Sequence, residues 1–157
     1  HETTKLMLEF ILEEELKNKT LCDVGCGTGI LSIISEKKCA KKIDAVDIDI
    51  KCYNNTLDNI GRNFCKKINT INASSEKLLG NKYDVILSNI TLNSLVENFE
   101  NFEQISNTNT ILIISGFYKD DLNYVNEKLS KFKFTFKDYK IKNDWIAARY
   151  YRRLSLV

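Results

Sequence analysis

Apolar residues in this chain follow two spacings that alternate along its length. Short apolar runs, typical of buried strands, predict strands at residues 20–24, 43–47, 68–72, 84–88 and 110–114. Apolar residues at intervals of three or four predict helices at residues 4–17, 28–38, 53–60, 92–102 and 122–129. Two glycines are expected to end elements, Gly61 the third helix and Gly116 the fifth strand.

The first predicted helix carries leucines at intervals of four residues. Leu8, Leu12 and Leu16 recur every four residues, which is a spacing typical of a helix. Thr3 or Thr4 can cap its amino end, because a hydroxyl oxygen accepts a hydrogen bond from an unpaired N–H of the first turn.

The last part of the chain changes to a spacing of two. Phe132, Phe134 and Phe136 alternate with polar residues, as in a strand with one solvent-facing side, and residues 145–151 predict a final strand. Strands that alternate with helices imply a parallel sheet, to which this terminal hairpin adds antiparallel strands. We therefore expect an α/β fold with a doubly wound, mostly parallel, seven-stranded Rossmann-like sheet and an antiparallel C-terminal hairpin.

The composition fits a single globular domain. The chain has 157 residues, of which 43% are hydrophobic and 28% charged. No apolar run approaches the about 20 residues of a membrane span, and the first residues do not resemble a signal peptide. We expect a soluble monomer in the cytoplasm. None of the five cysteines forms a C-x-x-C pair and there is one histidine, so we expect no metal site.

The net charge of +2 is too small to predict nucleic-acid binding, and we expect no DNA partner. The charge is nevertheless uneven, because residues 128–153 hold nine Lys or Arg and only Asp138 and Asp144 as acids. Two interpretations stay open for this segment: a solvated face of the last strands, or a docking surface for an acidic or RNA-containing partner.

A glycine-rich loop lies between the first predicted strand and the following helix. It contains Gly25, Gly27 and Gly29, and Asp23 precedes it by two residues. The dinucleotide fingerprint G-x-G-x-x-G needs its third glycine at the position of Ile30, so this loop departs from it. A carboxylate at this place repels a pyrophosphate and attracts a cation. The loop therefore suits S-adenosylmethionine, which carries a sulfonium and an ammonium but no phosphate, although an ordinary strand–helix turn stays possible.

Two further polar residues follow strands of the same sheet. Asp47 ends the second predicted strand, where a carboxylate can accept hydrogen bonds from ribose hydroxyls. Asp49 competes with it for this role, and a solvated loop acid is the alternative for both. Asn89 follows the fourth strand and offers one acceptor and two donors without ionising, so it can orient an incoming amine; an Asx turn is the alternative.

Together these segments resemble the class I methyltransferase core. The segments that carry the resemblance are residues 23–29, Val46-Asp47-Ile48-Asp49, Ser88-Asn89-Ile90 and Ile113-Ile114-Ser115-Gly116. More narrowly, they resemble the bacterial ribosomal protein methyltransferases that modify large-subunit ribosomal protein eleven. That family has a His-Pro-Thr-Thr segment and a late Glu-Trp, to which His1-Glu2-Thr3-Thr4 and Asp144-Trp145 are similar.

The resemblance implies S-adenosylmethionine as cofactor, with contacts at Thr4, Gly25, Asp47 and Asn89. The chemistry of the residues themselves points to the last three independently, whereas Thr4 rests on the resemblance alone. Glu2 stands where the family has proline. The family also carries an N-terminal domain that recognises the ribosomal protein. We therefore expect residues 1–157 to be a single catalytic domain, with that recognition domain absent from the chain.

The expected reaction is transfer of a methyl group to an amine of a ribosomal protein, either a lysine side chain or an N-terminal amine. Asn89 is the expected catalytic residue, and Cys26 is expected to be a small filler of the loop rather than a nucleophile. Three alternatives stay open. They are a methyltransferase with a small-molecule or RNA substrate, a nicotinamide-dependent oxidoreductase, and a non-catalytic module that binds a ribosomal partner.

Overall fold

The computed structural model describes residues 1–153, so the last four residues of the expected domain lie outside the described part. Seven strands form one sheet: β1 (Thr20–Val24), β2 (Lys42–Asp47), β3 (Ile68–Asn72), β4 (Tyr83–Asn89), β5 (Ser106–Tyr118), β6 (Phe134–Lys142) and β7 (Trp145–Arg152). Five α-helices accompany them: α1 (Glu2–Glu13), α2 (Ile30–Lys37), α3 (Ile50–Arg62), α4 (Leu92–Gln104) and α5 (Leu122–Ser130).

The strand order in the sheet is β3-β2-β1-β4-β5-β7-β6. The first five strands are parallel to one another, and β7 is inserted antiparallel between β5 and β6. This order confirms the expected doubly wound, mostly parallel sheet with an antiparallel C-terminal hairpin. The order reverses direction at β1 and β4, and a parallel sheet opens a crevice for ligands at such a point.

Apolar side chains fill a core on each face of the sheet. On one face, α4 contributes Leu95, Phe99 and Phe102 to the larger core. On the other face, α1 and α2 pack on the sheet through the second core. Because helices cover both faces, the central strands are buried throughout, which explains why their sequences are short continuous apolar runs.

The regularly spaced leucines correspond only in part to the buried side of α1: Leu8 packs against the second core, and Leu16 is buried but lies after the helix. The helix buries Leu6, Met7, Phe10 and Ile11, while Leu12 is 63% exposed. The four buried side chains form one face of the helix and pack in the second core. The helix also begins earlier than predicted, because the side chain of His1 accepts the capping hydrogen bond from Thr3 N–H. It ends at Glu13 rather than at residue 17.

Three further boundaries differ from prediction. Gly61 lies within α3, which continues to Arg62. Gly116 lies inside β5 rather than after it, where the pairing of β5 with β7 shifts by one residue between Ser115 and Phe117. In the C-terminal hairpin, β6 begins at Phe134. An irregularity then interrupts the strict alternation, because the pairing with β7 shifts after Phe136.

A buried arginine joins α1 to the C-terminal hairpin. Arg149 on β7 is 6% exposed. Its Nε and Nη2 atoms donate to the carboxylate of Asp138 at 2.9 and 2.6 Å, and Nη1 donates to Glu14 at 2.6 Å. The guanidinium also lies 4.6 Å from the centre of the Phe10 ring. One cation of the basic segment 128–153 is therefore used to hold the fold together rather than presented to a partner.

No helix within residues 1–153 is long and apolar enough to cross a membrane. Over the same range, no group of three or more His, Cys, Asp or Glu side chains is arranged to hold a metal ion.

Candidate functional site

A cavity of about 480 Å³ opens at the carboxyl ends of the central strands. Its walls come from the ends of β1, β2 and β4, from residues 73–75 after β3, and from the first turns of α4. The cavity thus lies at the place where the strand order reverses. Its volume is in the range of about 300–1,000 Å³ that is typical of small-molecule sites.

Three of the predicted site residues, Gly25, Asp47 and Asn89, line this cavity. Asp47 also holds the glycine loop, because its Oδ2 accepts a hydrogen bond from Gly27 N–H at 3.0 Å. Asp49 acts elsewhere, since its side chain caps α3 by accepting from Lys51 N–H at 2.8 Å. Of the two acids that competed for the ribose-binding role, Asp47 is therefore the one in the cavity wall.

The loop must have glycine at its first position. Gly25 has a φ of +77°, and a Cβ atom there would lie 2.3 Å from Cγ2 of Ile90. Gly27 is different, because a Cβ on it would meet no atom within 4 Å. Gly29 begins α2 and faces Thr56, so it shapes the loop without lining the cavity. The contacts that the sequence predicts for Gly27 and Gly29 stay predictions.

The backbone N–H groups of the loop are largely used within the protein. Those of Gly25 and Cys26 donate to the carbonyl of Val46 at 2.8 and 3.0 Å. Gly27 donates to Asp47, and Gly29 donates to the carbonyl of Cys26 at 2.8 Å. A dinucleotide site needs such N–H groups for its pyrophosphate. This loop is therefore not arranged to bind a phosphate.

The charge of the cavity wall points in the same direction. The wall carries the carboxylates of Asp47 and Glu97 and no Lys or Arg. Such a wall attracts a cationic ligand and repels an anionic one. Glu97 was not predicted from the sequence. The signal that could have found it is the polar face of α4, where Ser94, Glu97 and Asn98 recur at intervals of three and four.

Asp23 lies beneath the loop rather than in the cavity wall. It is 1% exposed, and its Oδ2 accepts a hydrogen bond from Ser32 Oγ at 2.7 Å. Burial raises the pKa of this carboxyl to about 6, against the opposing effect of the Ser32 hydrogen bond. The negative charge of Asp47 contributes to this rise. The sequence predicts that Asp23 attracts a cationic ligand, but Asp47 and Glu97 are the carboxylates that line the cavity. A contact of Asp23 with the cofactor stays a prediction.

Cys26 is the cysteine of the glycine loop. Burial, helped by the nearby charge of Asp23, raises the pKa of its thiol to about 12. Its sulfur lies 3.4 Å from Thr56 Oγ1. A thiol that stays protonated at neutral pH is a poor nucleophile, which agrees with the predicted role as a filler.

Asn89 is oriented by α1. Its Nδ2 donates to Thr3 Oγ1 at 3.2 Å, and Thr3 Oγ1 also lies 3.1 Å from Nδ1 of His1. One end of the amide is thus engaged with the helix, and the carbonyl end keeps its accepting capacity. The residue that meets Asn89 is Thr3. Thr4 is half-buried beside it and does not line the cavity, so its cofactor contact stays a prediction.

The sheet order, the glycine loop and the cavity at the strand reversal define a class I methyltransferase domain. A family model described as ribosomal protein L11 methyltransferase (PrmA) matches residues 1–153. The chain therefore belongs to the ribosomal protein L11 methyltransferase family, as the resemblance implied.

Individual relatives agree with this assignment. The chain is 35% identical over 151 residues to the ribosomal protein L11 methyltransferase of Bacteroides thetaiotaomicron, covering 96% of this chain and 54% of that protein. It is 30% identical over 148 residues to that of Thermotoga neapolitana, covering 93% of this chain and 55% of that protein. The chain thus spans about half the length of the curated relatives it matches.

Solved structures share the fold. A ribosomal protein L11 methylase from Lactobacillus delbrueckii subsp. bulgaricus has a TM-score of 0.92 at 27% identity, over 98% of this chain and 80% of that chain. A methyltransferase from Pyrococcus furiosus has a TM-score of 0.79 at 17% identity, over 94% of this chain and 81% of that chain.

Proposed function

We propose that this chain is the catalytic domain of an S-adenosylmethionine-dependent N-methyltransferase. Its substrate is an amino group of a ribosomal protein, either a lysine side chain or an N-terminal amine. The relatives are named after large-subunit ribosomal protein eleven, which we propose as the substrate of this chain too. Residues 1–157 form one catalytic domain in this proposal.

One observation carries the proposal. The cavity wall holds Asp47 and Glu97 without a Lys or Arg, and the loop beside it donates its N–H groups to the protein itself. A positively charged nucleoside without phosphate fits both features. A nicotinamide dinucleotide fits neither, because its pyrophosphate would face carboxylates and find few donors.

When bound, S-adenosylmethionine supplies a methyl group on a sulfonium leaving group. The protein then has to hold a lone pair of the substrate amine in line with that methyl group, and orientation alone contributes about 7–11 kcal/mol in favourable cases. Asn89 suits this role. Because Nδ2 is held by Thr3, Oδ1 is available to accept an N–H of the amine.

A lysine ammonium must lose a proton before it can attack, because its pKa in water is about 10.4. Transfer of the amine into a site poor in water lowers that pKa. The neutral amide of Asn89 supports this loss, since unlike a carboxylate it does not stabilise the ammonium as an ion pair.

Calorimetry with S-adenosylhomocysteine tests the cofactor site. We expect Asp47→Ala to weaken binding at least tenfold, because it removes a charged acceptor from the cavity wall and the bond to Gly27 N–H. Asp49→Ala is the matched control: it removes an acid two residues away that caps α3, so binding should change less than twofold. Equal losses in the two variants would contradict the assignment of Asp47.

The same protein distinguishes the rival cofactor. S-adenosylhomocysteine should raise the melting temperature, whereas NAD should leave it unchanged. Stabilisation by NAD alone would replace the proposal with an oxidoreductase.

Single-turnover methyl transfer to recombinant ribosomal protein L11 tests Asn89. We expect Asn89→Ala to bind S-adenosylhomocysteine like the wild type and to transfer the methyl group on the order of a hundredfold more slowly, because the amine loses its orienting acceptor. Turnover at the wild-type rate would remove Asn89 from the reaction. Cofactor binding without turnover in the wild type would favour a non-catalytic module.

A further inference from the structure

The small net charge of the chain hides a concentrated basic surface. Residues 17–19, 41–42 and 62–67 together hold seven Lys or Arg and no Asp or Glu. These segments are far apart in sequence, so no single stretch of the chain reveals them as a group. Residues 17–19 come just before β1, residues 41–42 lie at the start of β2, and residues 62–67 run from the end of α3 to the start of β3.

Backbone hydrogen bonds bring the three segments together. Lys41 N–H donates to the carbonyl of Lys19 at 2.8 Å, and Ile43 N–H donates to the carbonyl of Lys67 at 3.0 Å. The strands that follow are neighbours in the sheet, about 5 Å apart. The lysines therefore share one edge of the molecule, which we call the basic edge and define as Lys17, Lys19, Lys41, Lys42, Lys66 and Lys67.

The cationic groups of the basic edge are available to a partner. All six lysines are exposed, and within residues 1–153 none of them belongs to an ion pair. Glu15, Glu36 and Asp84 lie nearby, and each accepts a hydrogen bond from a backbone N–H, which for Asp84 is that of Thr20 at 2.9 Å. Glu36 accepts from the N–H groups of Lys66 and Lys67, and Glu15 accepts from Lys17 N–H at 3.0 Å. Clustered like charges repel one another, and a polyanion would relieve that repulsion.

An aromatic ring stands within this surface. Phe64 lies in the turn between α3 and β3, two residues before Lys66, and it is 83% exposed. Its backbone has a φ of +55°, which is uncommon for a large side chain. Exposed aromatic rings flanked by cations bind single-stranded nucleic acids, because a base stacks on the ring while the phosphates meet the cations.

We propose that the basic edge binds single-stranded RNA. The six lysines contact the phosphates, and Phe64 stacks on an unpaired base. A membrane surface suits this edge less well, because interfacial binding needs a broad apolar face and this edge offers a single ring. An acidic polypeptide suits it less well too, since a carboxylate gains nothing from the ring.

The basic edge and the cavity can be occupied at the same time. The lysines lie at the amino ends of the strands and the cavity lies at their carboxyl ends. β1 has five residues, so the two surfaces are separated by about 15 Å or more. RNA at the basic edge would hold the enzyme near its substrate without covering the methyl-transfer site.

Fluorescence anisotropy with a labelled, mixed-sequence RNA of about 12 nucleotides tests the proposal, with KCl varied from about 50 to 200 mM. The variant with Lys41, Lys42, Lys66 and Lys67 changed to Gln should bind at least tenfold more weakly. Its plot of log affinity against log salt should be shallower by up to about 2.8, because each lost phosphate contact removes about 0.7. Phe64→Ala should lose at least about fivefold in RNA affinity and nothing in poly-glutamate affinity.

The matched control neutralises four exposed lysines of the C-terminal basic segment. They are Lys131, Lys133, Lys137 and Lys142, and this variant should keep its RNA affinity within twofold. An equal or larger loss in the control, no binding by the wild type, or tighter binding of poly-glutamate or phosphatidylserine vesicles would overturn the proposal. Calorimetry on the same variants should give an unchanged affinity for S-adenosylhomocysteine, which verifies that they fold. Because this affinity is measured separately from RNA binding, failure of the RNA proposal and failure of the proposed function can be distinguished.

Discussion

The carboxylates at the two ends of the parallel strands differ in their hydrogen bonding. We call the side where the parallel strands begin the amino edge and the side where they finish the carboxyl edge. At the amino edge, Asp84 Oδ2 accepts hydrogen bonds from Thr20 N–H at 2.9 Å and from Thr20 Oγ1 at 3.1 Å. Its Oδ1 accepts from Asn107 Nδ2 at 2.9 Å. At the carboxyl edge, Asp23 has Ser32 Oγ as its side-chain partner, and Asp47 lies in the wall of the cavity.

The pKa values reflect this difference. Burial raises the pKa of Asp84, but the hydrogen bonds from Thr20 and Asn107 outweigh it, so the pKa lies below its usual value. Burial also raises the pKa of Asp23, and there the Ser32 hydrogen bond does not compensate, so the value is about 6. The carboxylate of Asp84 thus stabilises the fold, whereas the carboxylate of Asp23 is held at a cost in stability.

The largest loss of stability should come from a substitution at the carboxyl edge. In Gly116→Ala, the new Cβ would lie 1.8 Å from the carbonyl oxygen of Ile90, at a φ of +111°. We expect the free energy of unfolding to fall by more than about 3 kcal/mol, since a backbone clash adds to the conformational cost.

Gly80→Ala is the matched control for this substitution. Gly80 also has a positive φ, +97°, but a Cβ there meets no atom within 4 Å. Urea denaturation should give a loss of about 1–2 kcal/mol, from the conformational cost alone. Similar losses for the two variants would show that the close approach to Ile90 is relieved by movement.

A smaller effect should come from the amino edge. Both carboxylate oxygens of Asp84 accept hydrogen bonds, and in Asp84→Asn one of them becomes an NH₂ group that faces another donor. We therefore expect the free energy of unfolding to fall by about 2 kcal/mol at neutral pH. Because the folded pKa of Asp84 is lowered, its contribution is present above the unfolded value and disappears as the pH falls through the folded value.

Binding of S-adenosylhomocysteine is the readout that separates the edges. Asp84→Asn should leave it unchanged, whereas a loss of binding would mean that the amino edge shapes the cavity.

The smallest effect should come from Asp23→Asn. A raised folded pKa means that the contribution of Asp23 to stability is present below about 3.8 and is lost as the pH rises through about 6. The amide of Asp23→Asn does not ionise, so the variant does not lose stability in this way as the pH rises. Its stability relative to the wild type should therefore rise by about 1 kcal/mol from about pH 5 to pH 7, measured by thermal unfolding. A difference that does not change with pH would mean that Asp23 is charged throughout.

Much of the fold could be predicted because its signals are local. The central strands are short apolar runs bounded by polar turns, and β1 was predicted with the bounds that the structure has. The bounds of β3, a more polar strand near the edge of the sheet, were also predicted. The helix α1 was predicted, but its bounds and its cap were not. The cap is His1 rather than Thr3 or Thr4, because the imidazole of His1 accepts the hydrogen bond from Thr3 N–H, and the helix ends at Glu13.

The site divides in a similar way. Gly25, Asp47 and Asn89 lie at the carboxyl ends of strands, so a parallel sheet must bring them to one edge, and the sequence is enough to predict that. Glu97 and the basic edge were missed. Glu97 reaches the cavity only through the rotation of α4, and the basic edge is assembled from three distant segments by the pairing of β1, β2 and β3.

The arginine that joins α1 to β7 sets an order on the assembly of the molecule. Arg149 and Glu14 are separated by 135 residues, and Arg149 pairs with Asp138 in the neighbouring strand of the hairpin. Because Glu14 is synthesised well before Arg149, this ion pair can form only after almost all of the chain has been made. Thr3, on that same helix, holds Asn89. The helix that contacts Asn89 is therefore also the helix whose ion pair is completed by the last strand of the sheet.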